Sequence, residues 1–185
     1  MAAKILVPLA DGIEMIEALS IVDVFRRAEA DVDLASVGEL VITSSHGVKI
    51  IADKLIAECI DVDYDLVALP GGIPGAENLR NSKALVAILK KQQEAGKFYG
   101  AICASPAVVL EHHGLLQGKK ATGHPLFVAD LSNAAESTAK VVVDGNCITS
   151  RGAATAVDFS LELLGWIMGQ EKKKEVARAM VADLD

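Results

Sequence analysis

The sequence predicts a doubly wound α/β fold with a mainly parallel sheet, and three observations predict it. Short apolar runs alternate with longer segments of three- and four-residue periodicity, the pattern of repeated strand–helix units. The short runs are apolar almost throughout rather than at every second residue, as in strands buried on both faces. The length, 185 residues with 51% hydrophobic and 23% charged side chains, suits one domain burying about 70% of its unfolded-chain surface.

Lys4–Leu9 (KILVPL) reads as the first strand. Glu14–Ala30 follows as a helix whose apolar stripe is Ile16, Leu19, Val22 or Val24, and Phe25; Asp23 and Arg27, four apart, form an exposed helical pair. Val32–Val37 is the second strand, and Leu40–Ala52 is a hairpin turning at Ser45-His46-Gly47. Asp65–Leu69 (DLVAL) and Phe98–Ile102 (FYGAI) are further strands, with a helix over Ser82–Ala95 between them. Lys119–Thr122 reads as a short strand and Val141–Thr149 as a hairpin around Asp144-Gly145-Asn146. Helices over Thr155–Met168 and Gln170–Leu184 complete the chain, the latter with Lys172–Lys174 on a solvated side. No linker, repeat or low-complexity tract divides it.

Composition excludes several function classes. With 18 Lys+Arg against 25 Asp+Glu, a net charge of −7 disfavours a nucleic-acid binder, which needs a basic patch. No run of about 18 uncharged apolar residues is present to span a membrane. The start, MAAKILVPLADG, lacks a basic region before a long apolar one, so it reads as a strand and not as a signal peptide. Three cysteines, at 59, 103 and 147, do not make a disulfide framework and suggest a reducing compartment, with cytoplasm the expected location. No CxxC, HxxxH or HExxH spacing occurs, so no metal is expected.

Ligands of doubly wound folds sit beyond the carboxyl ends of the strands, and three turns there carry chemistry-bearing residues. In Gly100-Ala101-Ile102-Cys103-Ala104-Ser105-Pro106 an apolar strand runs into a cysteine and then a helix with Ser at its cap and Pro at its first position. Such an elbow exposes a nucleophile, and the helix dipole would favour the reactive thiolate. A small buried hydrophobe is the other reading of Cys103, and the one Cys59 and Cys147 invite. In Asp11-Gly12-Ile13-Glu14 and on to Glu17, the two carboxylates share a helix face; they either complement the macrodipole or aim a carboxyl at Cys103. An ionised Glu17 would repel a thiolate, so burial must hold it partly neutral. In Leu69-Pro70-Gly71-Gly72-Ile73-Pro74-Gly75 the glycines either make a tight turn or present backbone N–H groups to a ligand. This is neither a Walker A loop nor GxGxxG.

Of the histidines, His112 and His113 precede Gly114 at a helix end, where imidazoles satisfy terminal carbonyls. His46 sits in the hairpin with no role evident. His124, in Thr122-Gly123-His124-Pro125, lies on the rim expected for Cys103, and a His within reach of a Cys is the usual activated-nucleophile pattern.

The motifs DGIEMIEALSIVDVFRRA, LPGGIPGAENL, AICASPAVVL, GHP and TSRG, in this order from Lys4 to about Asp183, resemble the ThiJ/PfpI superfamily, in the branch of the Parkinson-disease-associated protein deglycase. The resemblance implies a flavodoxin-like homodimer with a cofactor-free site. Cys103 matches the family's nucleophilic, oxidation-prone cysteine, Glu17 its protonated carboxyl partner, and His124 the nearby histidine. Gly72 and Ala104 match the backbone N–H donors; Glu14, Arg27 and Arg151 resemble polar residues of the site and dimer contact. Cys103 is followed by Ala104 and not by the His of the protease-like branch, and Pro125 by Leu126 and not by the triad Glu of glutamine amidotransferases. Both absences count against a Cys-His-acid hydrolase. His46 stands where close relatives often carry Arg.

The implied activity is removal of reactive dicarbonyls, either as a glutathione-independent glyoxalase turning methylglyoxal into lactate or as a deglycase acting on glycated protein adducts. The alternative is a redox sensor or stress chaperone switched by oxidation of Cys103 to sulfinate. A peptidase and a flavin or nucleotide carrier rank below both, for want of a triad acid and a phosphate loop.

Overall fold

The computed structural model describes residues 2–135 and 139–182. In chain order the elements are β1 (Lys4–Leu9), α1 (Met15–Arg27), β2 (Asp31–Ser36), β3 (Val41–Thr43), β4 (Lys49–Ile51), β5 (Lys54–Leu55), β6 (Leu66–Leu69), α2 (Gly75–Asn81), α3 (Lys83–Glu94), β7 (Phe98–Ile102), β8 (Val141–Asp144), β9 (Cys147–Ser150), α4 (Ala156–Met168) and α5 (Gln170–Ala179). A seven-stranded sheet runs β5-β2-β1-β6-β7-β9-β8. Its strands are parallel except β8, which pairs antiparallel with β9. β3 and β4 form the separate expected hairpin.

The four central strands bury every residue or all but the first, as their unbroken apolarity requires, while edge strand β8 buries none fully. α1 packs on α4 and α4 on α5; α2 packs on α3, and α3 lies against β6 and β7. The sheet is thus covered on both sides. Chain order reverses between β1 and β6, so the crevice past their carboxyl ends is the switch point where doubly wound folds bind ligands.

Several expectations need correction. The core face of α1 is Glu17, Ala18, Ile21, Val22, Val24 and Phe25, whereas Ile16 and Leu19 of the expected stripe are 52% and 41% exposed. Turning Glu17 into the interior rotates the helix so that these two apolar side chains face out. The segment after Cys103 is a π-helix, Pro106–Glu111, instead of an α-helix, and Ser105 does not cap it. Lys119–Thr122 is no strand; Ala121 makes a single bridge to Ala134. β5 and α2 were not anticipated. The last helix is described to Ala179 as α5, and the end of the expected Gln170–Leu184 segment lies outside the described residues.

Candidate active site

Cys103 follows β7 directly and adopts φ +66°, a left-handed conformation that costs a non-glycine residue about 1–3 kcal/mol. Two backbone bonds pin it there. Its N–H donates to Ser150 O at the end of β9 (3.0 Å), and its carbonyl accepts from His124 N–H (2.7 Å). Ser105 Oγ, instead of capping the helix, donates to Pro70 O (2.5 Å) and ties the elbow to the glycine loop. That loop needs its glycines. A Cβ on Gly71 would lie 2.6 Å from Cys103 Cβ, and one on Gly72, at φ +87°, 2.5 Å from Glu14 N. π-helical turns of this kind recur beside functional sites.

Glu17, on the first turn of α1, is fully buried. Its Oε2 accepts from Gly71 N–H (2.7 Å), whereas Oε1 is buried with no ordinary hydrogen-bond partner. The Cys103 thiol is the polar group that couples to this carboxyl across the loop. Burial, aided by the charge of Glu14, outweighs the Gly71 N–H and the thiol and pushes Glu17 up to about 7. Burial and the Glu17 carboxylate push Cys103 up to about 12, against the Gly72 and Ala104 N–H groups, which favour thiolate. The sequence expectation that a helix dipole would lower the thiol therefore needs correction. With Glu17 ionised the thiol is held protonated; only when Glu17 carries the proton is that repulsion removed. Between about pH 7 and 12 the pair therefore carries one negative charge, held on Glu17.

Gly72 and Ala104 thus present their N–H groups to Cys103 sulfur, next to the place where an oxyanion on an adduct would form. Glu14 is the N-cap of α1, its Oε1 accepting from Ile16 N–H (3.3 Å). Its Oε2 receives Ser45 Oγ at 3.1 Å and His46 Nε2 at 3.2 Å, both from the β3–β4 turn. His124 is adjacent through its backbone, but its Nδ1 accepts from Leu126 N–H (3.2 Å), and the ring bonds neither Cys103 nor Glu17. Arg151 follows β9 on the same rim and has no ion-pair partner among the described residues; the neighbouring Gly152 lies against the His124 ring. Arg27 is not brought to this site within the chain. It sits in the last turn of α1, ten residues past Glu17, paired with Asp23 at 2.7 Å.

Sequence reasoning missed Gly71 as the donor that orients Glu17, Ser105 as a tie to Pro70, and the clasp of Ser45 and His46 on Glu14. Only Gly71 left a signal, as part of the glycine pair. Cys59 and Cys147 are buried, matching a structural reading. No group of three or more metal-ligating side chains occurs among the described residues, and no described helix is long and apolar enough to cross a membrane.

Fold and site together define a doubly wound protein in which a strained elbow cysteine faces a buried, half-satisfied carboxyl. The chain belongs to the DJ-1/PfpI family, whose sequence profile matches residues 3–165. It is 48% identical to Protein DJ-1 homolog B of Arabidopsis thaliana over 95% of this chain, and it spans 40% of that relative's length. Among solved structures it is similar to oxidized Toxoplasma gondii DJ-1, with TM-score 0.95 and 44% identity, covering 98% of this chain and 99% of that one. A Caenorhabditis elegans relative, 28% identical over 97% of this chain and 95% of its own length, is named glutathione-independent glyoxalase DJR-1.2.

Proposed function

We propose that the protein is a cysteine-dependent enzyme that detoxifies reactive dicarbonyls, converting methylglyoxal to lactate without glutathione. The observation that carries this reading is the fully buried Glu17, with one oxygen unsatisfied beside Cys103 and its pKa near neutrality. Isomerising an α-ketoaldehyde needs a nucleophile and an acid–base group that exchanges protons at ambient pH. Cys103 sulfur adds to the aldehyde carbon, and the resulting oxyanion meets the Gly72 and Ala104 N–H groups and takes a proton to give a hemithioacetal. Glu17, with His124 from the facing turn, moves the proton on that carbon through an enediol to the neighbouring carbon. The product is a lactoyl thioester. Water cleaves it, releasing lactate and restoring the thiol. The name of the nematode relative supports the same chemistry.

The decisive assay follows methylglyoxal loss and lactate formation together, for wild type, Cys103→Ser and Glu17→Ala. Lactate from wild type is expected, falling at least a hundredfold in both variants. Stoichiometric methylglyoxal loss without lactate would make Cys103 a scavenger and overturn the reading.

A second reading, oxidation sensing at Cys103, is favoured by the same donors: a protonated Glu17 and two N–H groups suit a sulfinate as well as a hemithioacetal oxygen. We further propose a homodimer built on the outward side of α1. Exposed Ile16 and Leu19 lie on α1, and the β3–β4 hairpin, with exposed Val41, Val48 and Ile51, is tied to the loop leading into that helix by Gly12 N–H to Thr43 O and Ser45 N–H to Ile13 O. Sedimentation should give a dimer that Leu19→Glu dissociates; a monomeric wild type would contradict it.

A further inference from the structure

Ser105 does nothing for the helix it precedes. Its side chain makes no capping bond, and the residue is wholly buried. Its hydroxyl donates instead to Pro70 O (2.5 Å), and no other donor among the described residues reaches that oxygen. The far end of the same peptide is the Gly71 N–H, which donates to Glu17 Oε2 (2.7 Å). The Pro70–Gly71 peptide is therefore gripped at both ends, by the nucleophile elbow at its oxygen and by the buried acid at its nitrogen.

We propose that Ser105 is a positioning residue for the reaction: by donating to Pro70 O it polarises the Pro70–Gly71 peptide, strengthens the bond from Gly71 N–H to the Glu17 carboxylate, and so sets how readily Glu17 parts with its proton. The proposal rests on the acid–base role given to Glu17 above.

The amide C–N bond has partial double-bond character, so a hydrogen bond accepted by the oxygen draws density from the nitrogen and makes its N–H a better donor. Bonds chained in this way strengthen one another by about 10–30% each. This chain ends on an ionisable oxygen, where a bond to the charged form is roughly twice as strong as a neutral one. Glu17 Oε1 has no ordinary partner, so the Gly71 N–H is the strongest influence opposing burial at this acid. Ser105 stands two residues past Cys103, so one short segment places the sulfur and tunes the acid that couples to it.

The titratable groups that face Glu17 are the Cys103 thiol and Glu14. Other charges on α1 and on the elements packed against it are paired elsewhere: Asp23 with Arg27 and Arg26 with Asp53, Lys4 of β1 with Asp31 of β2, and Asp33 of β2 with Lys54. On α4, Asp158 pairs with Lys140 and Glu162 with Lys173. The His124 ring accepts from Leu126 N–H.

The test follows the protonated-carboxyl C=O band of Glu17 by infrared difference spectroscopy from pH 4 to 9, assigned by its loss in Glu17→Gln. It needs no substrate, so it stands or fails apart from the glyoxalase reading. Ser105→Ala, which adds no bulk, should raise the midpoint by about half a pH unit, because the carboxylate loses part of its hold. Ser105→Thr keeps the hydroxyl and should leave the midpoint at the wild-type value. A merely structural loosening of the elbow would act the other way, since water admitted to Glu17 draws it back towards 4.5. A less stable Glu17 carboxylate also shifts the pair's negative charge towards sulfur. Cys103 alkylation by iodoacetamide at pH 8, read at that residue by mass spectrometry, should therefore run about threefold faster in Ser105→Ala. That gain should vanish in a Glu17→Gln background. A Ser105→Ala midpoint that is unchanged or lower overturns the proposal. So does a Ser105→Thr midpoint that moves with the alanine variant, or an alkylation gain that survives Glu17→Gln.

Discussion

The molecule buries two carboxylates close to a cysteine, and the sheet gives them opposite fates. Asp33, in β2, accepts from Lys54 Nζ and Tyr64 OH, each at 2.6 Å, one on each oxygen. Burial alone would raise Asp33, but the Lys54 and Tyr64 bonds and the Lys54 charge bring it below the ordinary carboxylate range. Cys59 beside this cluster is pushed up by burial and stays a thiol. Glu17 has one N–H, no cation and one unsatisfied oxygen, and rises to about 7. A satisfied buried acid is a fixed charge that holds the sheet edge together; a half-satisfied one is a proton store. The difference lies in the partner set and not in the depth of burial, since both acids are nearly inaccessible.

Three interventions sharpen that contrast. Asp33→Ala strands the Tyr64 hydroxyl and the half-buried Lys54 ammonium, and should cost about 3 kcal/mol in urea unfolding at pH 7. Dicarbonyl turnover per folded molecule should not change; a loss below 1 kcal/mol would mean that the cluster is not structural.

Glu17→Gln should do the reverse. A carboxyl whose folded pKa is raised from 4.5 to about 7 costs nothing below about pH 4.5, and an increasing amount as pH climbs to 7, where linkage puts the full cost near 3 kcal/mol. The variant should therefore fall about 1 kcal/mol below wild type at pH 4.5, where only the cost of the buried amide remains, and exceed it at pH 8 by about 2 kcal/mol. Equal stability at both pH values would show that Glu17 is ionised at no cost. The Asp33 contribution has the opposite sign: present above the ordinary range, it fades as pH falls through the lowered value.

The smallest effect is chemical. Limiting peroxide should convert Cys103 to sulfinate about tenfold faster than Cys59 or Cys147, which are buried away from any thiolate-stabilising N–H pair. Equal rates would remove the sensor reading.

The contrast between the two acids also marks what the sequence made legible. Strand runs such as KILVPL and DLVAL need only their own apolarity to be read, and they recur as β1 and β6 within a residue. The elbow, the glycine loop and Glu17 were legible as turns, because each follows a strand at the sheet rim. Their consequence was not. Cys103 looked like a thiol favoured by a helix dipole, and its burial, together with the Glu17 carboxylate opposite it, reverses that direction. Ile16 and Leu19 were read as core because an apolar residue carries no mark of which side the buried acid will claim. The Asp33–Lys54–Tyr64 cluster joins residues up to 31 apart with no motif between them, and the His46–Glu14 clasp depends on how a hairpin folds back onto a helix entry.

The central claim is that Glu17 stays protonated into the neutral range and that this proton serves Cys103. Infrared difference spectroscopy of the free protein, titrated from pH 4 to 9, reads it directly. The protonated-carboxyl C=O band that Glu17→Gln removes should persist to about pH 7, and its midpoint should shift on alkylation of Cys103. A band that has vanished by pH 5, as for a solvent-exposed glutamate, would contradict the account.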